Sequence, residues 1–482
     1  MTQPVQDMID LRDVREGDAP IMLTESPGPK SLEIWEKECA YISPGLSGST
    51  STSRLVLDEG YMSYLRDVDG NIYIDFSSGV VMTNPGHCHP KVVEAINQQT
   101  SRLMNVHDHA VPNRWELCKK LAEITPGNLK RTQLYSGGTE TVEAAIRLAK
   151  SYTGGTEVYS FWNGFHGKTL GSLGLDGTGF SKGFGPLAPG FHRLPYPNPY
   201  RPLVGGEVCS QAGHGALAEK GACSKCTGPL CTDRYISFIE KAIDTLSVGK
   251  PAAIIAEPIQ GAGGTVIPPL DFFKKLKALT QKLGCLLIID EILTGFGRTG
   301  KWWAIEHFGV EPDIMLMGKG MGCGYPVGAL ISTEEIIKSK PFANSSGGSS
   351  SFGGNPMACA AAMANIEVLE TEGYIENAAV VGEKLLRKLE GMKSSHPLIG
   401  DVRGKGYLIT VELVKNRETK EVADAEGKSM FLKMLNKGVL TITPKANLRM
   451  APPLCMTEPV AMKALDIFEE ALAETEKEFG YA

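Results

Sequence analysis

The sequence predicts an α/β fold: a mainly parallel central sheet covered by helices, joined to a smaller α+β domain. Three observations carry this. Short apolar runs, most of them ending in a polar or charged residue, recur from about Arg131 onward, as "EVYSFW", "AAIIAEP", "CLLIIDE" and "DIMLMGK". Segments with helical spacing separate them, among them "TVEAAIRLAKSY" and "LDFFKKLKALTQKLG". Such alternation builds a parallel sheet with helical cover. After "SSGGSSSFGGNP" the pattern changes. A long helical segment over 356–392 leads into strand-like "GYLITVEL" and a terminal helix.

Taken in order, residues 1–50 are polar and rich in proline and acids, and are expected to form an arm rather than a core. Residues 51–84 form the N-terminal part of the small domain. Here "GYMSYLRDVDGNIYIDFSSGV" alternates around Asp69-Gly70, a hairpin signal with a two-residue turn. "HPKVVEAINQQTSRL" has helical spacing. Residues 85–345 form the large domain, with a cysteine-rich insertion at 205–233, and residues 346–482 form the C-terminal part of the small domain.

With 482 residues the chain exceeds one ordinary domain. Apolar residues at 42 % and charged residues at 22 % give the balance of a globular protein. The net charge is -6 with no dense basic stripe, so a nucleic-acid partner is not expected. No long apolar stretch marks a membrane span, and the first twenty residues do not read as a signal peptide. Several of the eleven cysteines sit in apolar runs, such as Cys285 and Cys359, which predicts a reducing, cytoplasmic location.

Three local patterns carry chemistry. In "YSGGTETVEAAIRLAK", Ser136, Gly137, Gly138 and Thr139 precede a helix whose Val142, Ala145, Ile146 and Ala149 share one face. A glycine turn at a helix N-terminus offers N–H groups to an anion, and equally suits a capped helix with no ligand. Glu143 and Arg147 are spaced for an i,i+4 ion pair. In "CLLIIDEILTGFGRTG", Asp290 ends an apolar run, where a buried carboxylate needs a cationic partner and equally suits a helix cap or a bond to the loop. In "IMLMGKGMGCGYPVGAL", Lys319 stands between glycines that let the backbone pass close to a ligand, and is either a surface turn residue or a nucleophile that reaches a bound group. Neighbouring parallel strands would bring Asp290 and Lys319 to one sheet edge. The set suits a phosphorylated aromatic aldehyde with a ring nitrogen: lysine for the imine, aspartate for the nitrogen, the turn for the phosphate. Burial would favour the neutral, nucleophilic form of the lysine amine.

The ordered series "DVDGNIYIDFSSGV", "NPGHCHPKVVEAI", "SGGTETVEAAIRLAK", "FHGKT", "AEPIQGAGG", "IIDEILTGFGRTG", "PDIMLMGKGMGCGYPVGA", "SFGGNPMACAAA" and "RMAPPL" resembles the class-III, fold-type-I, pyridoxal-phosphate-dependent aminotransferases. The resemblance runs from about Gly60 to the last helix. It implies that Lys319 holds pyridoxal 5'-phosphate as an internal aldimine and moves the substrate proton. It implies that Asp290 pairs with the ring nitrogen, and that Gly137, Gly138 and Thr139 cup the phosphate. Phe165 would stack on one face of the ring and Ile292 on the other, with His166 also in the cofactor set. Ser351 matches a position, usually threonine, that reaches the phosphate from a partner subunit, so a homodimer with shared sites is implied and a higher oligomer stays open. Glu257 and Arg449 match residues that manage substrate carboxylates.

The implied reaction moves an amino group from an amine or amino acid to a 2-oxo acid, 2-oxoglutarate or pyruvate. A lyase, decarboxylase or racemase on the same fold is the alternative, since the cofactor supplies the carbanion chemistry. A non-catalytic binder is disfavoured by the retained Lys319 and Asp290. Two departures stand out. Leu293 replaces a glutamine common in relatives, and cannot bond the cofactor's phenolic oxygen. The insertion holds Cys209, His214, Cys223, Cys226 and Cys231, with one zinc-like Cys-x2-Cys spacing. Metal binding, disulfide pairing and free thiols all remain open for it. His87 and His89, in "GHCHP", are read as turn and packing residues rather than metal ligands.

Overall fold

The computed structural model describes residues 9–203 and 228–481. Cys209, His214, Cys223 and Cys226, with the side chain of Cys231, lie outside the described residues. The chain divides into two units, residues 1–89 with 377–482 and residues 90–376.

The larger unit is built on a seven-stranded sheet. Its strands run in the order Arg131–Tyr135, Gly328–Ser332, Ile314–Met317, Leu286–Asp290, Pro251–Ala256, Glu157–Phe161 and Phe191–Leu194. All are parallel except Gly328–Ser332, which is antiparallel to both neighbours. The four quoted apolar runs supply four of these strands, buried on both faces as parallel strands are. Helix Gly138–Thr153 lays Val142, Ala145, Ile146 and Ala149 into one core with Val158, Ile255, Ile288 and Leu316. Each large aliphatic side chain so buried contributes roughly 1.5–3 kcal/mol. Gly154, at φ +67°, ends that helix in the left-handed conformation.

The expected i,i+4 pair does not form. Glu143 accepts from the Ser172 N–H at 2.9 Å, and Arg147 donates to the Gly347 carbonyl at 2.6 Å. A buried loop end takes the carboxylate in preference to an exposed ion pair worth only tenths of a kcal/mol.

The long helical segment is two helices, Pro356–Thr371 and Tyr374–Met392, broken at Gly373 with φ +69°. The first was expected in the small domain. It belongs to the larger unit, where it packs on helices Pro90–Thr100 and Pro112–Ile124. Asn365 fixes it, donating to the carbonyls of Gly320 and Met321 at 2.9 and 3.0 Å. The divisions therefore fall at 89/90 and 376/377, against expected breaks at 84/85 and 345/346.

In the smaller unit, strands Leu57–Tyr61, Tyr64–Asp67 and Ile72–Asp75 are antiparallel, and Val439–Leu440 joins in parallel with Ile72–Asp75. The hairpin turn has three residues rather than two. Asp67 N–H donates to Asn71 C=O, and Gly70 takes φ +95°. Asp67 selects it by accepting from the N–H groups of Asp69 and Asn71. The second sheet pairs Ile399–Lys405 and Leu408–Asn416, with Asn447–Met450 on the latter. The N-terminal arm is better packed than expected: Ala19 and Leu11 are buried, and Ile21 bridges to Ile72. His87 Nε2 lies 2.7 Å from the buried Asp75 carboxylate, a packing role. No helix among the described residues is long and apolar enough to cross a membrane.

Candidate active site

The carboxyl ends of the parallel strands share one edge of the large sheet, and most of the candidate residues leave from it. Asp290 is the last residue of its strand and pairs in register with Leu316 of the next parallel strand. Lys319 follows that strand by one short turn, in the 3-10 segment Lys319–Met321. Lys319 is half-buried with φ +43°. A non-glycine residue held there bears backbone strain, a feature concentrated at functional sites. The two residues thus lie at the ends of adjacent strands.

The 136–139 turn follows strand Arg131–Tyr135 and reaches the same edge. Glu140 folds back, accepting from the N–H groups of Ser136 and Gly137 at 3.0 and 2.9 Å. Gly137 N–H is thus engaged within the chain. Gly138 and Thr139 head the helix, where N–H groups lack intrahelical partners. Ser136 Oγ is buried without a hydrogen-bond partner among the described residues. Thr139 Oγ1 is tied to the hydroxyls of Thr169 and Ser172, each at 2.9 Å.

Ile292 joins the three pieces. A Cβ at Gly138 would lie 3.1 Å from its Cδ1, and one at Gly318 would lie 3.3 Å from its Cγ2. Both glycines leave room for this one side chain. The Asp290 carboxylate also accepts from Ile292 N–H at 3.0 Å.

The opposite wall comes from the loop after strand Glu157–Phe161. His166 is buried, and its Nδ1 lies 2.7 Å from Asp290 Oδ2. Burial acts to lower the imidazole pKa, but the Asp290 hydrogen bond and charge, with Glu257 and Asp176 nearby, raise it overall. His166 is thus the cation that the buried aspartate requires. It reaches the cofactor set through Asp290. Glu257 follows strand Pro251–Ala256, and its oxygens accept from Phe165 N–H and Gly261 N–H, each at 2.9 Å. Burial raises the Glu257 carboxyl above its ordinary range, against the nearby His166. Here Glu257 anchors the Phe165 loop. Phe165 is half-buried, its ring edge-to-face with Phe180 at 5.7 Å. Leu293 is buried and fills the space beside Gly261, where a Cβ would come within 2.5 Å of its Cδ1.

Two candidates belong to other elements. Ser351 is exposed, and its carbonyl accepts from Asn105 at 2.9 Å. Arg449 belongs to the smaller unit, on strand Asn447–Met450, opposite Thr410 and 9 % exposed. One group escaped sequence reasoning. Glu291 is fully buried beside Asp290, accepting from Thr294 and from Ile305 N–H, and burial raises its pKa to about 7. Its only signal was the second acid of "IIDE".

The residues fit the group that the resemblance implies. The orphaned Ser136 Oγ beside a helix N-terminus suits a phosphate. A buried carboxylate with one bonded cation suits a protonated ring nitrogen, and a primary amine stands one strand away.

A family model described as aminotransferase class-III matches residues 47–472. An alanine/serine racemase of Pyrococcus horikoshii is 33 % identical over 470 residues, covering 95 % of this chain and 93 % of the racemase. A putrescine aminotransferase of Pectobacterium atrosepticum is 37 % identical over 416 residues, covering 85 % of this chain and 80 % of that protein. The crystal structure of an amine transaminase from an uncultivated Pseudomonas species, in its PLP-bound form, matches with a TM-score of 0.80 at 29 % identity. That match covers 90 % of this chain and 98 % of the other.

Proposed function

The chain belongs to the class-III aminotransferase family of pyridoxal-phosphate-dependent enzymes, and from that premise we propose that it moves an amino group from a primary amine or amino acid to 2-oxoglutarate or pyruvate. The observation that carries this reading is the placement of Lys319 and Asp290 at the ends of adjacent parallel strands.

Gly138, Thr139 and Ser136 would hold the phosphate. Phe165 and Ile292 would flank the ring. Bound there, the cofactor supplies an electron-accepting ring that acidifies the C–H beside the amino group. Asp290, held in place by His166, would pair with the ring nitrogen. Lys319 Nζ would carry the proton between carbon atoms, a positioned base worth roughly 10²–10⁴ in rate. Arg449, on the smaller unit, is the candidate to pair a substrate carboxylate through its guanidinium fork. Ser351 would serve the phosphate of a partner subunit, which makes the enzyme a homodimer. Its cysteine usage supports a cytoplasmic location.

The test follows the cofactor's spectrum. An amine donor should convert the bound cofactor from its aldehyde to its amine form, and a 2-oxo acid should reverse this. No conversion by any amine would overturn the reading. Racemisation is the second reading, favoured by the 33 % identity to a racemase across nearly the whole chain. A single amino-acid enantiomer incubated without any oxo acid separates the two, since only a racemase yields its mirror image.

A further inference from the structure

Phe180 is a large apolar side chain left 52 % exposed, yet its loop is firmly tied. Asp176 is fully buried, and its carboxylate accepts from the N–H groups of Thr178, Gly179 and Ser181 at 3.1, 3.0 and 2.9 Å. Arg193 donates to the Asp176 carbonyl at 2.9 Å and to the Ser181 hydroxyl at 3.2 Å. Gly179 takes φ +97°, the turn that sets Phe180 outward. The same loop is laced to the one that carries Phe165. Gly177 N–H donates to Gly164 C=O, and Asn163 N–H donates to Gly177 C=O, each at 2.9 Å.

Phe180 stands between two partners. Lys168 Nζ lies 4.7 Å from its ring centroid, a cation over an aromatic face. The Phe165 ring meets it edge-to-face, at an interplanar angle of 72°. Phe165 itself is held from behind by its N–H bond to Glu257. Its backbone is therefore held by that bond, and Phe180 meets its ring at a centroid distance of 5.7 Å. An exposed aromatic on a pinned loop wins little burial of its own, so its contact with Phe165 is what it contributes.

We propose that Phe180, braced by Lys168 and the Asp176-pinned loop, is a positioning residue that fixes the plane of the Phe165 ring and thereby how firmly the cofactor is held. This rests on the reading that Phe165 lies against the cofactor ring.

The test is a double-mutant cycle on the full chain, with Phe180→Ala, Phe165→Ala and both together. The readouts are the equilibrium dissociation constant of pyridoxal phosphate and the visible circular dichroism of the bound cofactor. Neither depends on turnover. Phe180 is exposed enough that its truncation should leave the unfolding midpoint nearly unchanged. Phe180→Ala should weaken cofactor binding about threefold to tenfold and alter the dichroism, the range expected for one edge-to-face aromatic pair. Phe180→Tyr should restore both. In the Phe165→Ala background, loss of Phe180 should add nothing further. Equal effects of Phe180→Ala in both backgrounds, or none in either, would overturn the proposal. If Phe165→Ala alone leaves the dissociation constant and dichroism unchanged, the stacking reading fails and this inference falls with it.

Discussion

His166 Nδ1 stands 2.7 Å from Asp290 Oδ2, with both side chains buried, so the aspartate carries its own cation before any ligand arrives. The folded protein raises the imidazole above its ordinary 6.5. A group raised on folding contributes its full stability below its unfolded value and loses it as pH rises through the folded one. Urea unfolding of the cofactor-free protein should therefore show stability falling above about pH 6.5, and the fall should be absent in His166→Asn.

Asp290→Ala should act through the same pair. It leaves a buried imidazole without its carboxylate, which costs on the order of 3–5 kcal/mol when one partner of a buried pair is removed. Calorimetry near neutral pH should show that loss. Equilibrium dialysis should show much weaker cofactor binding, and turnover should nearly vanish.

Glu291 gives a second pH signature. Its carboxyl is raised by burial from 4.5 to about 7. The folded chain holds that proton more tightly, so stability should decline between about pH 4.5 and about pH 7, by roughly 3 kcal/mol in all. Glu291→Gln should flatten this part of the profile while keeping the hydrogen bonds to Thr294 or Ile305 in large part. An unchanged slope in the variant would show that the carboxyl is already ionised.

Lys319→Ala should fold, because Lys319 is only half-buried and stands outside the apolar core, and should lose the visible absorbance of the covalently held cofactor. Amino transfer should drop by at least about 10². Absorbance after gel filtration and a single-turnover assay check the two parts separately.

Gly322 is the close approach behind the lysine turn. A Cβ there would come within 2.1 Å of the Tyr325 carbonyl oxygen and 2.8 Å of Val327. Gly322→Ala should destabilise by about 1–3 kcal/mol, measured by urea midpoint. Gly318→Ala, with its nearest contact 3.3 Å from Ile292, is the milder control.

The parallel core was legible because doubly buried strands leave continuous apolar runs, and Asp290 and Lys319 were legible because each breaks such a run at its end. What the sequence hid was partnership at a distance. Nothing near His166 says that its ring meets a carboxylate that arrives on another strand. Nothing near Glu143 says that a loop N–H will outcompete Arg147. The three-residue hairpin turn depended on the Asp67 side chain bonding ahead of itself, which alternation does not report. Helix Pro356–Thr371 groups with residues 90–376, which helical spacing does not report, because it marks a buried face without saying what covers it. Phe180 left no pattern, since a lone exposed aromatic in a glycine-rich loop resembles any other.

The reversed strand Gly328–Ser332 sits between Arg131–Tyr135 and the rest of the sheet. In a nascent chain leaving the ribosome, strand Arg131–Tyr135 therefore has no neighbour in the sheet until Ser332 has been synthesised. Long-range closure of this kind is slow. A chain stalled before that strand would leave the edge of strand Arg131–Tyr135 unpaired and open to chaperones.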